Sequence, residues 1–161
     1  MDQRLVTLYA FTLSMCESLM QDITDEELRR QPAAGVNTPA WILGHLAICT
    51  DSALRLLGNE KRLPEPWHKA YGMGSDPAAD DAPKPTKDEL LSALRKGHQL
   101  VAEAVAEADS ASLDGPNPLK VLASTLPTKS DLLAHLLSTH EAMHLGHLSN
   151  WRRQMGRPPL F

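Results

Sequence analysis

The chain has 161 residues, enough for one domain in which folding hides roughly 70% of the surface that an unfolded chain exposes. Hydrophobic residues at 42% and charged residues at 22% exclude a disordered chain, a collagen-like repeat and a disulfide-stapled miniprotein. A net charge of −4 with no run of Lys or Arg disfavours nucleic-acid binding.

Helical periodicity runs through four segments, and no stretch alternates apolar and polar residues as a half-buried strand does. The first helix is expected over residues 3–23, with Leu5, Tyr9, Thr12, Cys16 and Leu19 at three- and four-residue steps. A charged turn with Pro32 and Gly35 follows. Asn37 and Thr38 can accept the free amides of a helix N-terminus, and Pro39 suits the first helical position because its missing N–H would have no partner there. The second helix therefore starts at Pro39 and continues to Leu57, where Gly58 and Asn59 stop it.

From Lys61 to Pro85 the chain is rich in Pro, Gly and Asp without sustained periodicity, which predicts a long loop. Its Trp67 and Tyr71 are candidates for a pocket lid or a dimer surface. Thr86 and Glu89 form a capping-box pattern for a third helix over residues 87–108, with Leu90, Leu94, Val101 and Val105 facing the core. A fourth helix opens near Thr128, with Asp131 placed for a similar cap, and runs to Met155 before Gly156, Pro158 and Pro159. The pattern predicts an all-α fold, a four-helix bundle of a single domain (residues 1–161) with a long loop between the second and third helices. No segment approaches the ~20 apolar residues needed to span a bilayer, so no membrane partner is expected. Cys16 and Cys49 can form at most one disulfide, so a reducing, cytoplasmic setting is expected.

Four of the seven histidines, His135, His140, His144 and His147, lie on the fourth helix. At about 100° per residue, His144 falls about 40° from His140 and His147 about 20° to its other side, whereas His135 points the opposite way. The shared stripe also carries Leu133, Leu136, Leu137 and Trp151, so these imidazoles are expected to be buried and to need partners inside the bundle. An i, i+4 histidine pair can aim two ring nitrogens at one metal ion. His45, on the apolar face of the second helix with Trp41, Ile48 and Cys49, is the best third ligand. His68 and His98 are expected to face solvent, and Cys49, one turn from His45, is read as a buried structural thiol.

Residues 140–144 also spell H-E-x-x-H, in which two histidines bind zinc and the glutamate activates water. The longer metzincin pattern is not kept, since Gly146 falls one residue early and no strand-like sequence is present to pair with an extended peptide. A peptidase is the least favoured expectation, and Glu141 is either a general base or an exposed side chain.

Asn37-Thr38-Pro39-Ala40-Trp41-Ile42-Leu43-Gly44-His45-Leu46, the His140-Glu141-Ala142-Met143-His144-Leu145-Gly146-His147-Leu148 run and the ending from Trp151 to Pro159 together resemble the DinB-like superfamily of small four-helix metal-binding proteins. The resemblance covers nearly the whole chain. It implies one divalent ion, commonly nickel or zinc, held by His45, His140 and His144. Where many members have glutamine three residues past the last ligand, this chain has His147, which is expected to orient a ligand rather than to bind the ion.

Three protein nitrogens leave coordination positions open, as in reactive rather than structural sites. The resemblance further implies an enzyme that activates a low-molecular-weight thiol, of S-transferase or isomerase type, or water; a small-molecule substrate and a homodimer are the expected partners. The alternative is a non-catalytic helical module in which the ion only ties the second helix to the fourth.

Overall fold

Thr38 accepts a hydrogen bond from the Trp41 amide at 3.1 Å and Pro39 takes the first helical position, so α2 (Pro39–Leu56) begins where the sequence places it. It ends as expected too. Gly58 adopts a φ of 83°, and the Gly58 and Asn59 amides turn back to the carbonyls of Arg55 and Leu54. That doubly bonded reversal needs a residue free of a Cβ penalty. The computed structural model describes residues 3–80 and 82–160, so position 81 of the expected loop lies outside it.

Around α2 pack α1 (Gln3–Met20), the short α3 (Glu65–Tyr71), α4 (Lys87–Glu107), α5 (Lys129–Leu136) and α6 (Thr139–Gln154). Buried on nearly every face, α2 is the central helix and touches α3, α4, α5 and α6. The capping boxes Thr86/Glu89 and Thr128/Asp131 both form, and Gly156 closes α6 as Gly58 closes α2. No strand occurs among the described residues, and none of their helices is long and apolar enough to cross a membrane.

Two expectations need correction. The fourth helix is not continuous: it breaks at Leu137 and Ser138 into α5 and α6. Ser138 Oγ donates to the Ala134 carbonyl at 2.5 Å, a back-bond that competes with the helical ladder and bends the chain. The stretch between α2 and α4 is not a plain loop either, since it contains α3.

A helix of seven residues is too short to hold itself together. The anchor is Asp51 of α2, whose fully buried carboxylate accepts from the Arg62 amide (3.0 Å), the Leu63 amide (2.8 Å), Arg62 Nε (3.0 Å) and His68 Nε2 (3.1 Å). His68 is thus drawn inward rather than left in solvent. Trp67 and Tyr71 are also turned in, edge to face with ring centroids 5.6 Å apart, against the core. Tyr71 is buried and Trp67 half-buried.

The core divides into two apolar halves. One joins the C-terminal part of α1, the N-terminal parts of α2 and α4, and Leu145, Leu148 and Trp151 of α6. The other joins Tyr9 of α1, Ala53, Leu54 and Leu56 of α2, Val101 and Val105 of α4, and the leucines of α5. The helices also bury Thr12, His45, Thr50, Asp51, His98, Glu141 and His144, which form a polar layer between the two halves.

Replacing Asp51 by Ala would strand the Arg62 guanidinium and two backbone amides. Loss of one member of a buried pair costs 3–5 kcal/mol, and with Arg62 still 18% exposed the lower end, about 3 kcal/mol, is expected. Denaturant unfolding should show that loss, with faster proteolytic nicking between residues 60 and 71.

Candidate metal centre

His45 enters the polar layer from α2 with its ring fixed on both sides. Nδ1 donates to the Tyr71 carbonyl at 2.7 Å, which leaves the lone pair on Nε2, and the Trp41 indole stacks on the ring at 4.7 Å and 7°. Trp41 is itself anchored through Nε1 to Ser75 Oγ at 2.8 Å. A carbonyl partner of this kind sets tautomer and aim in a metal-binding histidine. Tyr71 can lie close enough only because position 44 is glycine: a Cβ there would fall 2.4 Å from the phenol ring.

From α6, His140 brings Nε2 to 3.2 Å from His45 Nε2. The third group at this point is Cys49, whose sulfur lies 3.6 Å from His45 Nε2. One donor atom each of His45, Cys49 and His140 lie within 4.8 Å of one another. The His144 ring centroid stands 4.6 Å from those of both His45 and His140, so all three expected histidines meet in one cluster, but His144 is not among the three whose donor atoms converge. Cys49, read as a structural thiol, reaches the cluster instead; its i, i+4 spacing from His45 was the signal.

The other histidines depart from expectation. His147 is exposed and meets only the edge of the His144 ring, with centroids 5.5 Å apart. His135 does not point away, because the break at Ser138 resets the helical phase. Its ring lies 5.5 Å from that of His140, and its Nδ1 bonds Thr139 Oγ1 at 2.7 Å. His98 is buried: it stacks on Tyr9 at 3.7 Å and donates from Nε2 to Glu141 Oε1 at 2.8 Å.

Glu141 is therefore neither exposed nor placed as a general base. Its second oxygen accepts from Thr12 Oγ1, so the carboxylate is committed to α1 and α4. The H-E-x-x-H string here joins two cluster histidines with a glutamate that ties helices together, which does not fit a zinc peptidase. Sequence spacing held no sign of a Glu141–His98 pair, whose members are 43 residues apart.

Burial holds His45 below the ordinary imidazole range despite the opposing Tyr71 hydrogen bond. Burial, with His45 and His135 nearby, lowers His140 to about 4, and burial, with His45, His140 and His147 nearby, lowers His144 to about 3. The rings are neutral at physiological pH, the state that binds metal. Burial and the nearby Glu141 charge push the Cys49 thiol up to about 12 when no cation is present. Nδ1 of His140 and Nδ1 of His144 are buried without a hydrogen-bond partner. The Nε2 atom of His45 faces His140 Nε2 and the Cys49 sulfur, so three donor atoms gather at one point. A divalent cation fits such a donor set.

Two outcomes follow from this geometry. In Gly44→Ala the new methyl displaces Tyr71 and unhooks His45, so metal affinity should fall about 10- to 100-fold, with about 1–3 kcal/mol of stability lost to overpacking. Unchanged affinity in a metal titration would show that the Tyr71 carbonyl does not set the His45 ring. In metal-free protein the unfolded imidazoles take up protons near pH 6.5, whereas His140 and His144 resist until about 4 and 3. The unfolded chain then binds more protons, so stability should fall as pH drops from about 6.5 toward 4.5, above most carboxylate titration. Denaturant midpoints should show this slope, and His144→Ala should flatten it.

The DinB superfamily model matches residues 8–148. Among solved structures the chain is similar to YfiT from Bacillus subtilis, described as a probable metal-dependent hydrolase with an unusual four-helix bundle topology. That likeness has a TM-score of 0.67 at 17% identity, over 98% of this chain and 91% of that one, and speaks to the fold. No curated protein matches. With 141 of its 161 residues inside the family model, from position 8 to position 148, the chain belongs to the DinB superfamily.

Proposed function

We propose that the protein is a metal-dependent enzyme in which His45, His140 and His144 hold one divalent ion, nickel or zinc, and a low-molecular-weight thiol or a water molecule is the activated group. The observation that carries this is the meeting of three neutral imidazoles from α2 and α6 in one cluster, with Nε2 of His45 and Nε2 of His140 3.2 Å apart. Superfamily membership supports it, and the description of YfiT as a metal-dependent hydrolase supports the water branch. An ion at this cluster would supply Lewis acidity, lowering the pKa of a thiol or water beside it into the neutral range.

The chain's own groups then have separate tasks. The Tyr71 carbonyl orients His45, and the Trp41 indole covers that ring. The partly exposed His140 and exposed His147 leave this side of α6 open for a small substrate to approach. Glu141, held by Thr12 and His98, keeps α6 in register with α1 and α4 and takes no part in proton transfer.

A second reading, in which the ion only ties α2 to α6 and the chain acts as a dimeric module, is favoured by one observation. Leu8 and Phe11 stand 52% and 57% exposed one turn apart on α1. Elemental analysis of untagged protein should find about one equivalent of nickel or zinc, lost in His45→Ala, while the variant stays folded by circular dichroism because the apolar halves are untouched. Thiol-transfer and hydrolysis screens with the loaded protein then separate the branches. Full metal content with no turnover and a dimer in light scattering would favour the module, and no metal after reconstitution would overturn both.

A further inference from the structure

We propose that Cys49 is a protein ligand of the ion, its thiolate binding beside His45 and His140 in the place given above to His144, so that this chain offers a mixed nitrogen and sulfur site with one tetrahedral position still open. This rests on an ion being bound at the cluster, as proposed above.

The distances carry the assignment. Nitrogens lie about 2.0–2.1 Å and thiolate sulfur about 2.3 Å from zinc. On a tetrahedral ion those radii put two nitrogens about 3.3 Å apart and a nitrogen and a sulfur about 3.5 Å apart. The separations in this protein are 3.2 Å between His45 Nε2 and His140 Nε2 and 3.6 Å between His45 Nε2 and Cys49 Sγ. Both edges therefore already have the lengths of one tetrahedron. Donor atoms of the three residues also lie within 4.8 Å of one another, so no side chain has to cross the core to share an ion.

The local fold explains why. His45 and Cys49 are four residues apart on α2 and present to the same side, and His45 is pinned by Tyr71 and Trp41 so that Nε2 faces the sulfur. Among the described residues, His45 Nε2 is the hydrogen-bonding group that meets the Cys49 sulfur. The other cysteine, Cys16, lies in the apolar half of the core built from α1, α2, α4 and α6, outside this group. A thiolate donor shifts preference toward zinc, nickel, cobalt and copper and away from magnesium, calcium and manganese, which want oxygen.

Cobalt(II), added to the metal-free full-length protein, is the probe. With Cys49 bound, the cobalt form shows a near-ultraviolet sulfur-to-cobalt charge-transfer band. Cys49→Ala and Cys49→Ser lose that band while still taking up about one equivalent of cobalt. Their affinity falls at least tenfold, the low end for losing even an outer partner of a ligand, and Cys16→Ala keeps the band. About one equivalent bound to the unaltered protein without the band would overturn the role of Cys49 and leave the histidine site standing. No cobalt uptake at all would overturn the metal site and this assignment with it. The unaltered protein's spectrum decides even where a variant folds poorly.

Discussion

Polar groups buried inside a helical bundle must be paired, and that constraint organises this molecule. Two apolar halves do the packing, and between them every long helix contributes something polar. Most of that layer is satisfied from within: Asp51 by Arg62, Leu63 and His68, and Glu141 by Thr12 and His98. Among the described residues, the buried side-chain nitrogens without a partner are all on histidines of this layer or its edge, His98, His140 and His144. Two of the three belong to the cluster in which His45 Nε2, His140 Nε2 and Cys49 Sγ form a donor set suited to a cation.

The parts that look irregular serve this layer. α3 exists because Asp51 holds Arg62 and Leu63 just before it and His68 within it, and its last residue, Tyr71, lends a carbonyl to His45. The glycine preceding His45 makes room for the Tyr71 ring, so a residue without a side chain controls the aim of the His45 imidazole. The Ser138 break sits where α5 leaves one apolar half and α6 enters the other, and it brings His135 beside His140. Helix irregularity, loop conformation and ligand orientation are thus one connected problem, solved in the polar layer of the bundle.

What could be read from the sequence was what local chemistry decides. Thr38, Thr86 and Thr128 announce helix starts, Gly58 and Gly156 announce ends, and the spacing of His140 and His144 marks one face of α6. What could not be read was set by contacts distant in sequence. His98 looked exposed because its acceptor, Glu141, lies on another helix. The stretch before α4 looked like loop because α3 has no periodicity of its own and borrows its stability from α2. His135 was misplaced because a helical wheel assumes an unbroken helix. Cys49 was legible in spacing but undervalued, since its meaning depends on where His140 arrives.

In the proposed site the layer takes its ion through side-chain nitrogen and sulfur. X-ray absorption at the metal edge of zinc-loaded protein tests it most directly. The account predicts imidazole scattering with nitrogens at about 2.0–2.1 Å and a sulfur near 2.3 Å. A shell of oxygens alone, without imidazole, would show that the ion binds elsewhere and would contradict it.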